Sequence, residues 1–275
     1  VSDPGHINSE GSSEDIVVRV RDALAVIWGD RSAAIEQEAC EILGVRSLCD
    51  YLAEKKSGGK FFNDHLKRYS KSRRQAPIYW PLSTESGSYT LWIYYHRLND
   101  DILYDCVTRF VAPKQEQVKK TFDKLAAKEG RTKKEDKELE SARDLIAELG
   151  TFRKELERIA KFWKPNLNDG VQITAAPLWN LFRLAKWRKK LKETWEKLEA
   201  GEYDWAHLAH SIWPERVIPK CAEDRSLAIA HGYEEALWEK VETTSGRGKK
   251  IKMVWQPKAD AADITARLVK EVTSQ

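Results

Sequence analysis

The sequence predicts an α+β fold that is predominantly α-helical: a helical bundle with a long antiparallel helical arm and two small β-hairpins. Three observations carry this expectation. Apolar residues recur three and four positions apart over most of the chain, the period of helices with one buried face. Leu145, Leu149, Phe152, Leu156, Ile159 and Trp163 sustain that spacing as a coiled-coil-like seam. Alternation by twos is confined to residues 78–82 with 89–96, and to 237–241 with 250–254.

Residues 1–13, rich in Ser, Gly, Asp and Glu, are expected to form a loose tail. A helical domain over 14–112 follows. Its first helix, 15–28, carries Ile16, Val17, Val20, Leu24 and Ile27 on one face, and Gly29-Asp30 breaks it. Ser32 is placed to cap a second helix through Ile42, which Gly44 ends. A third starts over 47–55, Ser57-Gly58-Gly59 reads as a flexible joint, and 61–69 is helical again. The aromatic hairpin lies within 77–96. Its Ser/Thr/Gly loop over 83–88 is too long for a two-residue turn. A two-stranded hairpin is marginal in water, so helices must cover its aromatic face. Ile102, Leu103, Cys106, Val107 and Phe110 give an inward face to a helix over 101–111, and Pro113 punctuates it.

Residues 113–163 are expected to form the arm. Val118, Phe122 and Leu125 line its first helix, Gly130 marks the break, and the seam through Trp163 lines the second. The charged stretch 133–140 reads as a solvated face. Residues 164–275 are expected to be a Trp-rich helical C-terminal region. It starts with a connector over 165–177 containing the turn signal Asp169-Gly170. A helix over 178–198 follows, with Leu181, Leu184, Trp187, Leu191, Trp195 and Leu198 on one face. A short helix over 205–213 is stopped by Pro214, and a modest one covers 223–230. The second hairpin spans 237–254 across a loop at 243–249, and a helix over 260–272 closes the chain.

A length of 275 residues allows one or two domains, and 41% hydrophobic with 33% charged residues describes a soluble, helix-rich chain. No apolar run is long enough to cross a bilayer and no signal-peptide pattern opens the chain, so a cytoplasmic location without a membrane partner is expected. Cys40, Cys49, Cys106 and Cys221 contain no C-x-x-C pair, which argues against a disulfide framework or zinc ribbon and fits a reducing cytosol. A single methionine, Met253, in a chain opening at Val1 suggests either a piece of a longer polypeptide or a processed N-terminus.

Catalytic chemistry is not legible. There is no Ser-His-Asp or Cys-His arrangement at known spacing. His207 and His210 share a short stretch with Asp204 and would approach Cys221 or Asp224 only by folding, and the spacing is unlike that of zinc sites. They are read as packing or hydrogen-bonding residues, with no metal assigned. Binding chemistry is better represented. A net charge of +4 is too mild to establish nucleic-acid binding alone, yet three basic groups lie near aromatics. The first is Lys71, Arg73, Arg74 and Arg97 beside Tyr79 and Trp80. The second is Arg183, Lys186, Arg188, Lys189, Lys190 and Lys192 on a Trp-containing helix. The third is Arg247, Lys249, Lys250 and Lys252 around the second hairpin loop. Cations beside aromatics suit phosphate contact plus stacking. The competing reading of each group is a solvated surface or internal ion pairing.

Arg73-Arg74 with Pro77-Ile78-Tyr79-Trp80, then Trp92-Ile93-Tyr94-Tyr95-His96-Arg97, resembles the "RRPIFW…LVYLHR" segment of PglX-type methyltransferases. Asn166-Leu167-Asn168-Asp169-Gly170-Val171 is similar to the "DLDDGV" of that family. Tyr203-Asp204-Trp205-Ala206-His207-Leu208-Ala209 with Trp213-Pro214-Glu215-Arg216 resembles the tail of one branch. The order agrees over roughly residues 15–232. These are adenine-specific DNA methyltransferases of BREX phage-defence systems, with relatives in DISARM-type defence and single-chain restriction–modification enzymes. Such enzymes hold the flipped base with an Asn/Asp-Pro-Pro-Tyr/Phe motif. No Pro-Pro pair occurs here, and no glycine-rich turn follows an apolar strand to hold S-adenosylmethionine. The resemblance therefore implies a non-catalytic C-terminal segment that engages double-stranded DNA, with the cofactor and methyl transfer belonging to the rest of the parent enzyme. The alternative is a docking module for the parent's catalytic domain or another defence-system subunit.

Overall fold

The computed structural model describes residues 5–7, 16–55, 57–71, 74–202, 210, 212–245 and 250–274, and its fold is α+β and predominantly helical. Strand β1 (Gly5–Ile7) falls inside the stretch expected to be a loose tail. Helices α1 (Ile16–Trp28) and α2 (Ser32–Leu43) pair around a 3-10 turn at Gly29–Arg31. Ser32 is not a cap: that turn runs straight into α2, so Ser32 is already helical and no side-chain cap forms. Gly44, at φ +61°, ends α2 as expected. The Ser47 hydroxyl accepts the Asp50 N–H at 3.2 Å and starts α3 (Leu48–Leu52).

The glycine pair before α4 (Lys60–Arg68) is a packing device and not a free joint. A Cβ on Gly58, at φ +93°, would lie 2.7 Å from Leu184 Cα, and one on Gly59 would lie 2.3 Å from Glu54 Oε1. Gly58→Ala is expected to destabilise the fold by about 1–3 kcal/mol more than Gly130→Ala, measured as a shift in urea midpoint. Gly130 shares the left-handed backbone (φ +67°) but has open space where the methyl would go, so the pair isolates steric overlap from backbone strain. Equal losses would show that the close approach has no energetic weight.

After the short ribbon of β2 (Ser70–Lys71) and β3 (Arg74–Gln75), strands β4 (Tyr79–Ser83) and β5 (Thr90–Tyr94) form the aromatic hairpin. Tyr79 pairs with Tyr94 and Ser83 with Thr90, and β1 adds antiparallel outside β5. Sheet order β1-β5-β4 leaves Pro81 on an edge strand, where its missing N–H is tolerated. Residues 80–83 and 90–93 are all buried, so both faces of the hairpin are covered.

Helix α5 (Ile102–Asp105) continues through a π-helical turn at Cys106–Val111 into α6 (Ala112–Ala126). The expected stop at Pro113 does not occur. The Ala112 N–H bonds five residues back to the Val107 carbonyl, and this wide turn gives the proline ring room to enter the next helix. Helix α7 (Lys133–Ala160) returns antiparallel, opened by a capping box in which Thr132 and Glu135 satisfy each other's backbone N–H groups. Leu149, Phe152, Leu156, Ile159 and Trp163 are buried as the seam requires. They join one core that runs from Val17 to Leu191.

Gly170, at φ +81°, leads into α8 (Val171–Ala175) and a 3-10 stretch at Ala176–Leu181. Helix α9 (Ala185–Ala200) begins later than the expected 178, because extended backbone at Phe182 and Leu184 inserts Phe182 between Phe62, Trp80 and Trp187. Pro214 starts α10 (Pro214–Glu223) where a stop was expected, since proline suits a first helical turn. Asp224 caps α11 (Arg225–His231), and α12 (Glu234–Leu237) leads to β6 (Trp238–Ser245) and β7 (Lys250–Pro257), which pair antiparallel. Helix α13 (Ala261–Thr273) packs with α10–α12 around a second core of Val217, Cys221, Leu227, Ala228, Leu237 and Ala261. Among the described residues, no helix is long and apolar enough to cross a membrane.

Candidate nucleic-acid interface

The charge order of α9 opposes its own helix dipole. The helix opens at Leu184 without a side-chain cap and has no acidic residue in its first turn. Lys186, Arg188, Lys189, Lys190 and Lys192 crowd its first half, whereas Glu193, Glu196 and Glu199 fall in the second. A helix favours anions at its N-terminus and cations at its C-terminus by roughly 0.3–1 kcal/mol each. Lys186 and Lys190, one turn apart and of like sign, repel. Burial, and then the Lys186 charge, lower the Lys190 pKa.

These cations are partly pre-placed. Arg188 donates to Asn180 Oδ1 at 2.9 Å and lies 5.5 Å from the centroid of Trp179, while Lys192 lies 5.3 Å from the same ring. Lys190 lies 5.8 Å from the Trp187 ring. Lys189 and Lys192 reach Glu193 at 3.9 Å and Glu196 at 3.6 Å in exposed, weak pairs. Among the described residues, neither Lys186 nor Lys190 forms an ion pair. The result is a cationic helix end with excess positive potential at solvent.

Arg183 is no part of this face. Its side chain is 3% exposed; it donates to Glu85 Oε2 at 3.1 Å and to the Asn180 carbonyl. Burial lowers its pKa, and the nearby Glu85 carboxylate opposes that. The helix expected from 178 put Arg183 beside Lys186, whereas the extended turn at 182–184 aims it into the core. Trp80 is likewise corrected: it is fully buried, donates its indole N–H to the Pro77 carbonyl at 2.8 Å, and offers no ring face to a base. Tyr79 remains 38% exposed and stacks on Tyr94 at 5.1 Å.

Lys71 and Arg74 are backbone partners across the β2–β3 ribbon, Arg97 is exposed in the 3-10 turn after β5, and Arg73 lies outside the described residues. Lys252 is exposed on β7, whose first residue is Lys250, while Arg247 and Lys249 lie outside the described residues. The fold therefore gathers Lys186, Arg188, Lys189, Lys190 and Lys192 on one helix end.

Nothing in the sequence marks His65, yet it organises the aromatic hairpin. Its Nε2 accepts the N–H groups of Ile78 at 3.0 Å and Tyr79 at 3.1 Å. Burial, reinforced by Arg68, pushes its pKa down to about 4, so the ring stays neutral and able to accept. A lone histidine in a helix carries no signal of a partner ten or more residues away. Asp204 and His207 lie outside the described residues. His210 is hydrogen-bonded to Asn166 and Tyr233, and no group of metal ligands forms among the described residues. No protein-family model matches the chain, and a search of curated proteins returns no similar sequence.

Proposed function

We propose that this chain is the DNA-engaging, non-catalytic C-terminal segment of a PglX-like, adenine-specific DNA methyltransferase of cytoplasmic phage defence. In this reading S-adenosylmethionine and the methyl-transfer site belong to the remainder of the parent enzyme, and the segment holds double-stranded DNA by its phosphates. The carrying observation is the first half of α9, where five cations gather at a helix end that intrinsically disfavours them. Such an arrangement lowers stability unless a polyanion relieves it. The motif resemblance around the aromatic hairpin supports the choice of DNA as that polyanion.

Binding to a duplex, followed across salt concentrations, tests this reading. Log affinity should fall linearly with log salt. Lys186→Ala, Lys189→Ala and Lys190→Ala together should flatten the slope by about 0.9 for each phosphate no longer neutralised. An unchanged slope in a variant with native circular dichroism would refute the role of α9. A wild-type chain with no duplex affinity at low salt would refute DNA engagement.

A second reading, protein docking, is favoured by one feature. Val26, Ile27 and Trp28 at the end of α1 are 87%, 68% and 44% exposed. Neighbouring apolar side chains of this size left in water suit a partner surface on the parent enzyme or another defence subunit.

A further inference from the structure

The unit built by α10–α13 and the β6–β7 ribbon meets the main body at a polar centre that DNA engagement does not use. Flanking it, Trp195 stacks on Trp213 at 5.7 Å, and Arg216 donates to the Leu198 carbonyl at 3.2 Å. Beside them, the His210 and His231 rings stack with centroids 5.0 Å apart and planes 20° from parallel. His231 Nδ1 lies 3.9 Å from Asp169 Oδ1, with those side chains 3% and 0% exposed, and it has no hydrogen-bond partner among the described residues.

The protonation of His210 is written in its neighbours. Asn166 Oδ1 accepts the Asn168 N–H at 2.9 Å, which turns the amide NH2 toward His210 Nδ1 at 3.3 Å. Nδ1 is therefore the acceptor, and Nε2–H donates to the Tyr233 hydroxyl at 2.8 Å. Together these two hydrogen bonds require a neutral ring.

We propose that the stacked His210–His231 pair is a proton-operated latch, holding the C-terminal unit on the helical body while neutral and releasing it once both rings are protonated. One proton goes to His231 Nδ1, which lies 3.9 Å from Asp169 Oδ1 at a site whose burial disfavours the charged ring. The second, on His210 Nδ1, sets an N–H against the Asn166 NH2 and places two like charges in one buried stack. Asp169 comes from the turn before α8, Tyr95 from the 3-10 turn after β5, Cys221 from α10 and Tyr233 from the start of α12. Asp100, Lys161, Lys164 and Glu215 stand around the adjoining cavity that His210 lines. Burial pushes the Tyr95 and Tyr233 hydroxyls upward and the Cys221 thiol to about 12, so these three keep their protons throughout.

Burial, with His231 adding to it, lowers the His210 pKa to about 4, and burial lowers that of His231. A histidine whose closed-state pKa is depressed binds its proton better when the latch opens. Closure is therefore fully favoured above the ordinary histidine pKa of about 6.5 and weakens as pH falls from there toward 4. His210 shifts the closed-to-open ratio by up to about tenfold per pH unit in that window, and His231, depressed by burial, acts in the same direction.

Hydrogen exchange of the full chain at pH 7.5, 6.5, 5.5 and 5.0, corrected for intrinsic rates, tests the latch. Protection over 166–174 and 225–233 should drop on the order of tenfold or more between pH 6.5 and 5.5, while α7 over 149–159 stays protected. The double variant His210→Gln, His231→Gln should lose this pH dependence. Constant protection at the junction, or loss shared equally with α7, would overturn the proposal. Because the variant could fail to fold, the wild-type imidazoles are also titrated by NMR. Midpoints well below 6.5 for His210 and His231 support the latch, and ordinary midpoints overturn it.

Discussion

Trp163→Ala is expected to destabilise the chain by about 3–5 kcal/mol, a large part of the stability of an ordinary domain. Trp163 is fully buried just beyond α7, at the end of the seam through Leu149, Phe152, Leu156 and Ile159. Its indole N–H donates to the Thr174 carbonyl at 3.0 Å, tying the arm to α8. Alanine therefore leaves a cavity the size of an indole, removes a buried donor and loosens the link between the arm and the C-terminal half of the core. Urea unfolding measures the loss, with Trp163→Phe as the comparison that keeps most of the packing and removes only the donor and one ring. A loss below about 1 kcal/mol for alanine would mean that the core collapses freely around the site.

Glu54→Gln is expected to stabilise the chain by about 3 kcal/mol at pH 8 and to have no effect near pH 4.5. Glu54 is 2% exposed, and neither carboxylate oxygen meets a donor in hydrogen-bond geometry among the described residues. Burial raises its pKa from 4.5 to about 7, and the Gly59 amide and the Arg183 guanidinium reverse that only in part. An acid whose folded pKa is raised contributes stability below its unfolded pKa, and that contribution is lost as pH rises through the folded value. The urea midpoint of the glutamine variant should gain on that of the wild type as pH rises from about 5 to 8, whatever trend the buried histidines give to both. Parallel curves for the two proteins would show that Glu54 does not titrate on unfolding. The His210–His231 pair acts in the opposite direction, weakening its junction as pH falls below about 6.5, so the two buried centres together place maximum stability in the mildly acidic range.

The two centres also show what kind of feature a sequence exposes. The α7 seam was readable because helical burial repeats every three to four residues, a property of near neighbours alone. The aromatic hairpin was readable for the same reason, through period-two alternation around a polar loop. Gly44 and Asp169-Gly170 announced their turns through the left-handed backbone that glycine permits. The cationic first half of α9 was visible as composition, although its conflict with the helix dipole appears only once Ala185 is known to start the helix.

Pro113 shows local chemistry overridden by context: the proline lacks its N–H in any fold, but only the packed chain supplies the wide turn that lets a helix pass through it. Arg183 and Trp80 looked like ligands for phosphate and base because their sequence neighbours are basic and aromatic. Covering segments decide otherwise: Arg183 meets Glu85 across the hairpin loop, and Trp80 is sealed beneath Phe182 and Tyr95. Glycines 58 and 59 looked like a hinge until Leu184 and Glu54 came to rest against them. By itself the sequence determined most of the helices, the two larger hairpins and which faces are apolar, because those depend on dihedral preference and spacing along one chain. Only the tertiary structure decided which charges are buried, which glycines are close-packed and which histidines stack, because desolvation and contact depend on residues distant in sequence that share no periodicity.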